Sequence, residues 1–90
     1  MRNLKKMFAH RIKEFGKAFE GRLEPFLLEG ALDYINFNEE PLAFEILCEH
    51  ICEYDVQLNQ TEYDEAIALA KHMGLDLLDG PYKHLAGLIV

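Results

Sequence analysis

The segment Cys48-Glu49-His50-Ile51-Cys52 gathers the side chains best equipped for chemistry, because thiolate and imidazole are zinc ligands. On a helix turning about 100° per residue, the two cysteines lie ~40° apart while His50 points ~160–200° away from them. The three cannot converge on one ion, and no second Cys/His pair elsewhere completes a site. A disulfide one helical turn apart would be strained and would close no distant loop. The segment therefore reads as two reduced, packed thiols and a boundary histidine, with no metal or cofactor expected. His10, His72 and His84 stand singly, outside any HExxH or nucleophile-elbow setting. Serine is absent from the chain, and Gly16, Gly21, Gly30, Gly74, Gly80 and Gly87 never form a phosphate-cradling loop. The sequence predicts a non-enzymatic protein, whose function must then lie in a surface that binds a partner.

The carboxylates differ in kind from these scattered groups. With Glu45 at 0° on a helical wheel, Glu49 falls at ~40° and Glu53 at ~80°, one ladder along one flank. Ala43, Phe44, Leu47, Ile51 and Tyr54 span ~160–260°, the expected core side. Like charges at i, i+4 destabilise a helix by about 0.2–0.5 kcal/mol per pair, and no Lys or Arg is interspersed to relieve them. Asp55 extends the ladder, Glu39 and Glu40 precede it, and Glu62, Asp64 and Glu65 follow on the next helix.

The elements that must position these groups follow from periodicity and caps. Leu4, Phe8, Ile12, Phe15 and Phe19 form an apolar stripe over residues 3–20, ended by Gly21. A second helix begins near Pro25 and is expected to carry Phe26, Leu28, Leu32 and Ile35 to the core. Asn38-Glu39-Glu40-Pro41 offers a cap candidate, acids and a first-turn proline for a third helix reaching about Tyr54. After an extended connector at 55–58, Asn59 and Glu62 form a capping box for a fourth helix. That helix presents Tyr63, Ala66, Ile67, Ala70 and Met73 on one side and stops at Gly74. Past the turn at Asp79-Gly80-Pro81, residues 82–88 read as a short fifth helix, with a strand-like arm as the alternative. The expected fold is an all-α, single-domain bundle of four to five helices over residues 1–90.

Charge is distributed unevenly along the chain. Residues 1–22 hold seven of the nine basic groups against Glu14 and Glu20, a balance of +5. Beyond them only Lys71 and Lys83 face fourteen carboxylates, a balance of −12 that brings the whole to −7. Such a field repels nucleic acid and attracts basic proteins. No apolar run approaches the roughly 20 residues of a membrane-spanning helix, and the basic start lacks the apolar stretch of a signal peptide. A cytosolic location, with no nucleic-acid or membrane partner, is the expectation.

The stretch Glu40-Pro41-Leu42-Ala43-Phe44-Glu45-Ile46-Leu47-Cys48-Glu49-His50-Ile51-Cys52-Glu53-Tyr54-Asp55 continues through Leu58-Asn59-Gln60-Thr61-Glu62-Tyr63-Asp64-Glu65-Ala66-Ile67 to the stop Met73-Gly74-Leu75. It resembles the MafI-type immunity proteins of bacterial polymorphic-toxin and contact-dependent inhibition systems, over roughly residues 23–75. The resemblance implies an antitoxin that binds the toxic C-terminal domain of a secreted effector, often an RNase and in this family often of EndoU type, and blocks its active site. The acidic immunity proteins of colicin nucleases share size, charge and helical class, but their paired-tyrosine motif is missing here. On this reading Glu45, Glu49, Glu53, Asp55 and Asp64 contact basic residues of the toxin, with Tyr54 or Tyr63 as an aromatic anchor. A monomer is expected. The alternative is a regulatory or structural module, a homodimer whose basic first helix pairs with a neighbour's acidic body.

Overall fold

The computed structural model describes the backbone from Leu4 to Val90 and the side chains from Lys6 onward. The first apolar stripe forms helix α1 (Leu4–Lys17), with Ile12, Phe15 and Phe19 buried and Phe8 partly so. Residues 18–23 turn the chain back, and Gly21 at φ +82° takes the left-handed conformation that glycine adopts without strain. Helix α2 (Pro25–Asp33) starts on its first-turn proline and tightens into a 3₁₀ turn, η1 (Tyr34–Phe37). α1 and α2 approach closely at Gly16, where an added Cβ would lie 3.2 Å from Leu32 Cδ1.

Helix α3 (Glu40–Glu53) and helix α4 (Gln60–His72) complete the α-helical set, and the tail winds into a second 3₁₀ segment, η2 (Tyr82–Leu88). α1 packs against α2, α3 and α4, α2 packs against α3, and η2 spans α3 and α4. One continuous core results, with Ile12, Phe19, Phe44, Leu47, Ile51, Leu58, Leu69 and Leu85 fully buried. The fold is the expected all-α bundle. Its radius of gyration, 12.1 Å, is that of one compact folded unit, for which about 12 Å is expected at this length.

Several helix ends are as their residues dictate. Asn59 Oδ1 accepts from the Glu62 amide (2.7 Å) and Glu62 accepts from the Asn59 amide (3.0 Å), the reciprocal capping box. Gly74 sits at φ +75°, and the Gly74 and Leu75 amides donate to Lys71 O and Ala70 O, which closes α4 in a Schellman motif. α3 closes the same way with Asp55 at φ +51°, its amide donating to Cys52 O and that of Val56 to Ile51 O. The tail combines both expectations: η2 is helical, and just beyond it Ile89 bridges Leu58, with Leu58 N donating to Leu88 O and Val90 N to Leu58 O (both 2.9 Å).

Three expectations are corrected, for Phe26, Asn38 and Tyr54, and Glu40 takes a place its charge does not announce. Phe26 does not face the core but is 69% exposed, because the buried side of α2, set by Leu28 and Ala31, lies ~140–200° around the helix from it. Asn38 does not cap α3: at φ +60° it closes η1, and Glu39 takes the N-cap position without a side-chain bond. Glu40, which precedes the ladder, is buried at 4% exposure. It shares the i, i+4, i+7, i+11 stripe of Phe44, Leu47 and Ile51, so helical phase outweighs its charge. Tyr54 leaves the core side because the helix has already unwound there (φ −100°, ψ 13°).

Candidate functional site

Among the described residues two groups of carboxylates stand apart from the scattered rest. The first is spent inside the fold. Arg22 meets Glu62 through two hydrogen bonds of 2.7 and 3.1 Å, donates to Ala18 O and Gln57 O, and lies 4.6 Å from the centroid of Phe19. That pairing draws the Glu62 carboxyl below the usual range and raises the Arg22 guanidinium, in each case chiefly through the side-chain hydrogen bond. Arg11 reaches Glu65 at 3.4 Å and donates to His72 Nδ1 at 2.9 Å, tying α1 to α4. Lys17 pairs with Glu14 at 3.0 Å on the exposed side of α1.

The second set is the ladder. Glu45 is half-buried, while Glu49, Glu53 and Asp55 are exposed, and none of the four joins an ion pair among the described residues. α3 positions the first three at one-turn intervals, and the left-handed turn at its end carries Asp55 round beside them. Opposite stands the tail. Glu49, Cys52, Glu53 and Asp55 form one wall of an open groove of about 590 Å³, and Gly80, Pro81, His84, Gly87 and Leu88 form the other. The Cys52 thiol donates to Pro81 O (3.6 Å), which fastens the two walls at the floor.

The negative field of this wall reaches into the fold. Burial raises the Cys52 thiol pKa first, and Asp55 and Glu49 raise it further. Cys48, fully buried, is pushed well above the ordinary range by desolvation, with Cys52, Glu49 and Glu45 adding to it. The Tyr82 phenol rises for the same reasons: burial first, then Cys48, Glu45 and Glu49. Both thiols are therefore held protonated near neutral pH. They are free, Cys48 buried and Cys52 half-buried, and His50 lies at the core boundary.

The structure brings Glu49, Glu53 and Asp55 together, with Glu45 one turn further along the same flank. Tyr54, 54% exposed, lies beside this group in a neighbouring hollow shared with Asp55, Asn59, Glu62 and Val90. It does not bring in Tyr63 and Asp64. Those two line a separate depression on α4 with Ile67, Lys71 and His72, where Gln60 donates to Asp64. Sequence reasoning missed the opposing wall of Gly80, Pro81, His84, Gly87 and Leu88. The turn at 79–81 was legible, but no periodicity says which helix the tail docks on.

No His, Cys, Asp or Glu group of three or more among the described residues is placed to hold a metal ion. No described helix is long and apolar enough to cross a membrane. No family model, curated protein or solved structure matches the chain.

Proposed function

We propose that this chain is an immunity-type inhibitor that binds a positively charged toxin domain, in the cytosol, through the acidic flank of α3 and the groove between α3 and η2. The observation that carries the reading is the gathering of four unpaired carboxylates on one flank of α3. Glu62, Glu65 and Glu14 are matched by cations of the first 22 residues, whereas Glu45, Glu49, Glu53 and Asp55 are left together without an ion pair among the described residues. Their placement opposes folding stability. Successive carboxylates at i, i+4 repel, and Glu53 and Asp55 stand at the negative end of the α3 dipole. A surface held against local stability is best explained by a partner that neutralises it.

The chemistry of that partner follows from the surface. An RNase offers RNA a positive cleft, and a row of carboxylates spaced along a rigid helix can enter it as a phosphate-like plug. Tyr54 flanks the row as an aromatic contact. The resemblance to MafI-type immunity proteins points to the same partner, a nuclease domain at the C-terminus of a secreted effector, and that family's partners include EndoU-type RNases.

The test is co-purification and calorimetric titration against the toxic domain encoded beside this chain's gene. The wild-type protein is expected to abolish nuclease activity at a one-to-one ratio. E49Q/E53Q should weaken binding by about tenfold or more, since losing two charge contacts removes roughly 1.4 kcal/mol or more, and should flatten its salt dependence. Unchanged affinity in that variant would remove this face from the reading.

A further inference from the structure

The aromatic side of α2 and η1 is not absorbed by the acidic face of α3. Phe26 is 69% exposed, Tyr34 39% and Phe37 66%. They share one flank. Phe26, Gly30 and Tyr34 follow at i, i+4 and i+8, and Phe37 comes three residues after Tyr34 in a 3₁₀ turn, where i and i+3 eclipse. Gly30 interrupts the stripe with a notch: a Cβ built there meets nothing within 4 Å. Glu29 and Asp33, both exposed, edge the stripe with negative charge. Three large rings exposed along one flank of α2 and η1 make a candidate contact surface.

The one basic helix surface of the described residues has the complementary form. On α1, His10, Lys13 and Lys17 repeat at 3–4-residue spacing on the side away from Ile12 and Phe15, with exposed Lys6 continuing the row and Met7, 44% exposed, beside it. The lengths agree as well. Fourteen residues of α1 span ~21 Å, and nine α-helical plus four 3₁₀ residues of α2 and η1 span ~21 Å.

We infer that this face pairs two copies of the chain about a two-fold axis, the basic side of each α1 lying on the aromatic stripe of the other copy's α2 and η1. α1 and α2 pack against each other within one molecule, and under a two-fold axis the contact of α1 with the other copy's α2 is repeated reciprocally. Lysine stems cover the phenyl rings while their ammonium groups reach Glu29 and Asp33, and Met7 is a side chain of a size to enter the notch at Gly30. The Lys17–Glu14 pair, 66% and 52% exposed, is a weak contact that Lys17 exchanges on docking. The interface consists of two helix-on-helix contacts of ~20 Å each with charged rims, the make-up of a reversible dimer. The face shares no residue with the α3–η2 groove, and the inference does not depend on the proposed inhibitory function.

Sedimentation equilibrium of the full chain between ~5 and ~500 µM tests it, with a dissociation constant expected in the micromolar range. F26E and F37E should each weaken self-association at least tenfold while leaving the helical circular dichroism unchanged. K13E/K17E alone and E29K/D33K alone should each be monomeric, and an equimolar mixture of the two should dimerise, because reversal on both sides restores attraction in both contacts. E49Q/E53Q should dimerise as the wild type does. A wild-type chain that stays monomeric throughout, a dimer indifferent to F26E and F37E, or a mixture that fails to pair would each overturn the inference, the first leaving the stripe to a foreign partner.

Discussion

Arg22 shows how much one side chain holds in a fold of this size. It joins the turn after α1 (Ala18 O), the connector before α4 (Gln57 O) and the first turn of α4 (Glu62), and it stacks on Phe19. Glu62 therefore serves twice, as the capping-box acid and as the counter-ion of Arg22. E62Q separates the roles, because glutamine keeps the back-bond to the Asn59 amide but loses the charge. With Arg22 35% and Glu62 15% exposed, solvent screening reduces the pair, and E62Q should cost about 1 kcal/mol at pH 7. The sign of the pH dependence is fixed by the lowered Glu62 pKa. The stabilisation is complete above the unfolded-state carboxyl pKa of about 4.3 and is lost as pH falls through the lower folded value. Urea unfolding of both proteins from pH 7 to pH 3 should show a constant gap that closes only below about pH 4. A gap absent at every pH would assign the role of Glu62 to the cap alone.

At the scale of the helix, α3 carries a conflict that α4 lacks. Both end in a Schellman turn, but α4 closes on glycine with Lys71 and His72 in its last turn, favourable to the dipole. α3 closes on Asp55 with Glu49 and Glu53 preceding it. Neutralising the ladder should therefore stabilise the protein. E49Q/E53Q relieves like-charge pairs and the unfavourable helix end, about 1 kcal/mol in sum, or a rise of roughly 4–8 °C in Tm for a domain of this length. Differential scanning calorimetry at low salt measures it, and a fall in Tm would mean that the ladder is a stabilising network and not a surface reserved for a partner. The same contrast explains what could be read in advance. The ends of α4 were legible because Asn59, Glu62 and Gly74 act through bonds within four or five residues. Tyr54 was misplaced because helical phase was carried past the unwinding of the helix, and the burial of Glu40 follows from phase alone, which its charge conceals. Phe26 belongs to a short helix rich in apolar residues on several sides, so its period could not say which side turns inward.

At the scale of the molecule, the candidate site is composite, and its second wall is the part no local pattern announced. The acidic ladder is a property of α3 alone, but the groove exists only because the tail crosses back over α3 and α4 and is pinned by Leu85, Tyr82 stacked on Phe44 at 6.1 Å, and the Leu58–Ile89 bridge. Leu85 is fully buried, so L85A removes a core side chain and leaves a cavity, at about 2–4 kcal/mol. Against the 5–15 kcal/mol typical of whole domains this is a large fraction, and Tm should fall by roughly 10 °C or more. The tail shares one core with α3 and α4, so α-helical circular dichroism and amide exchange at Leu58 and Val90 should report the same transition. A tail that acted as an independent flap would instead lose protection at Leu58 and Val90 while the helices kept their stability. The outcome also separates the two parts of the site: at temperatures where L85A remains folded, a binding loss would belong to the displaced wall of Pro81 and His84, since Glu49 and Glu53 still stand on an intact helix.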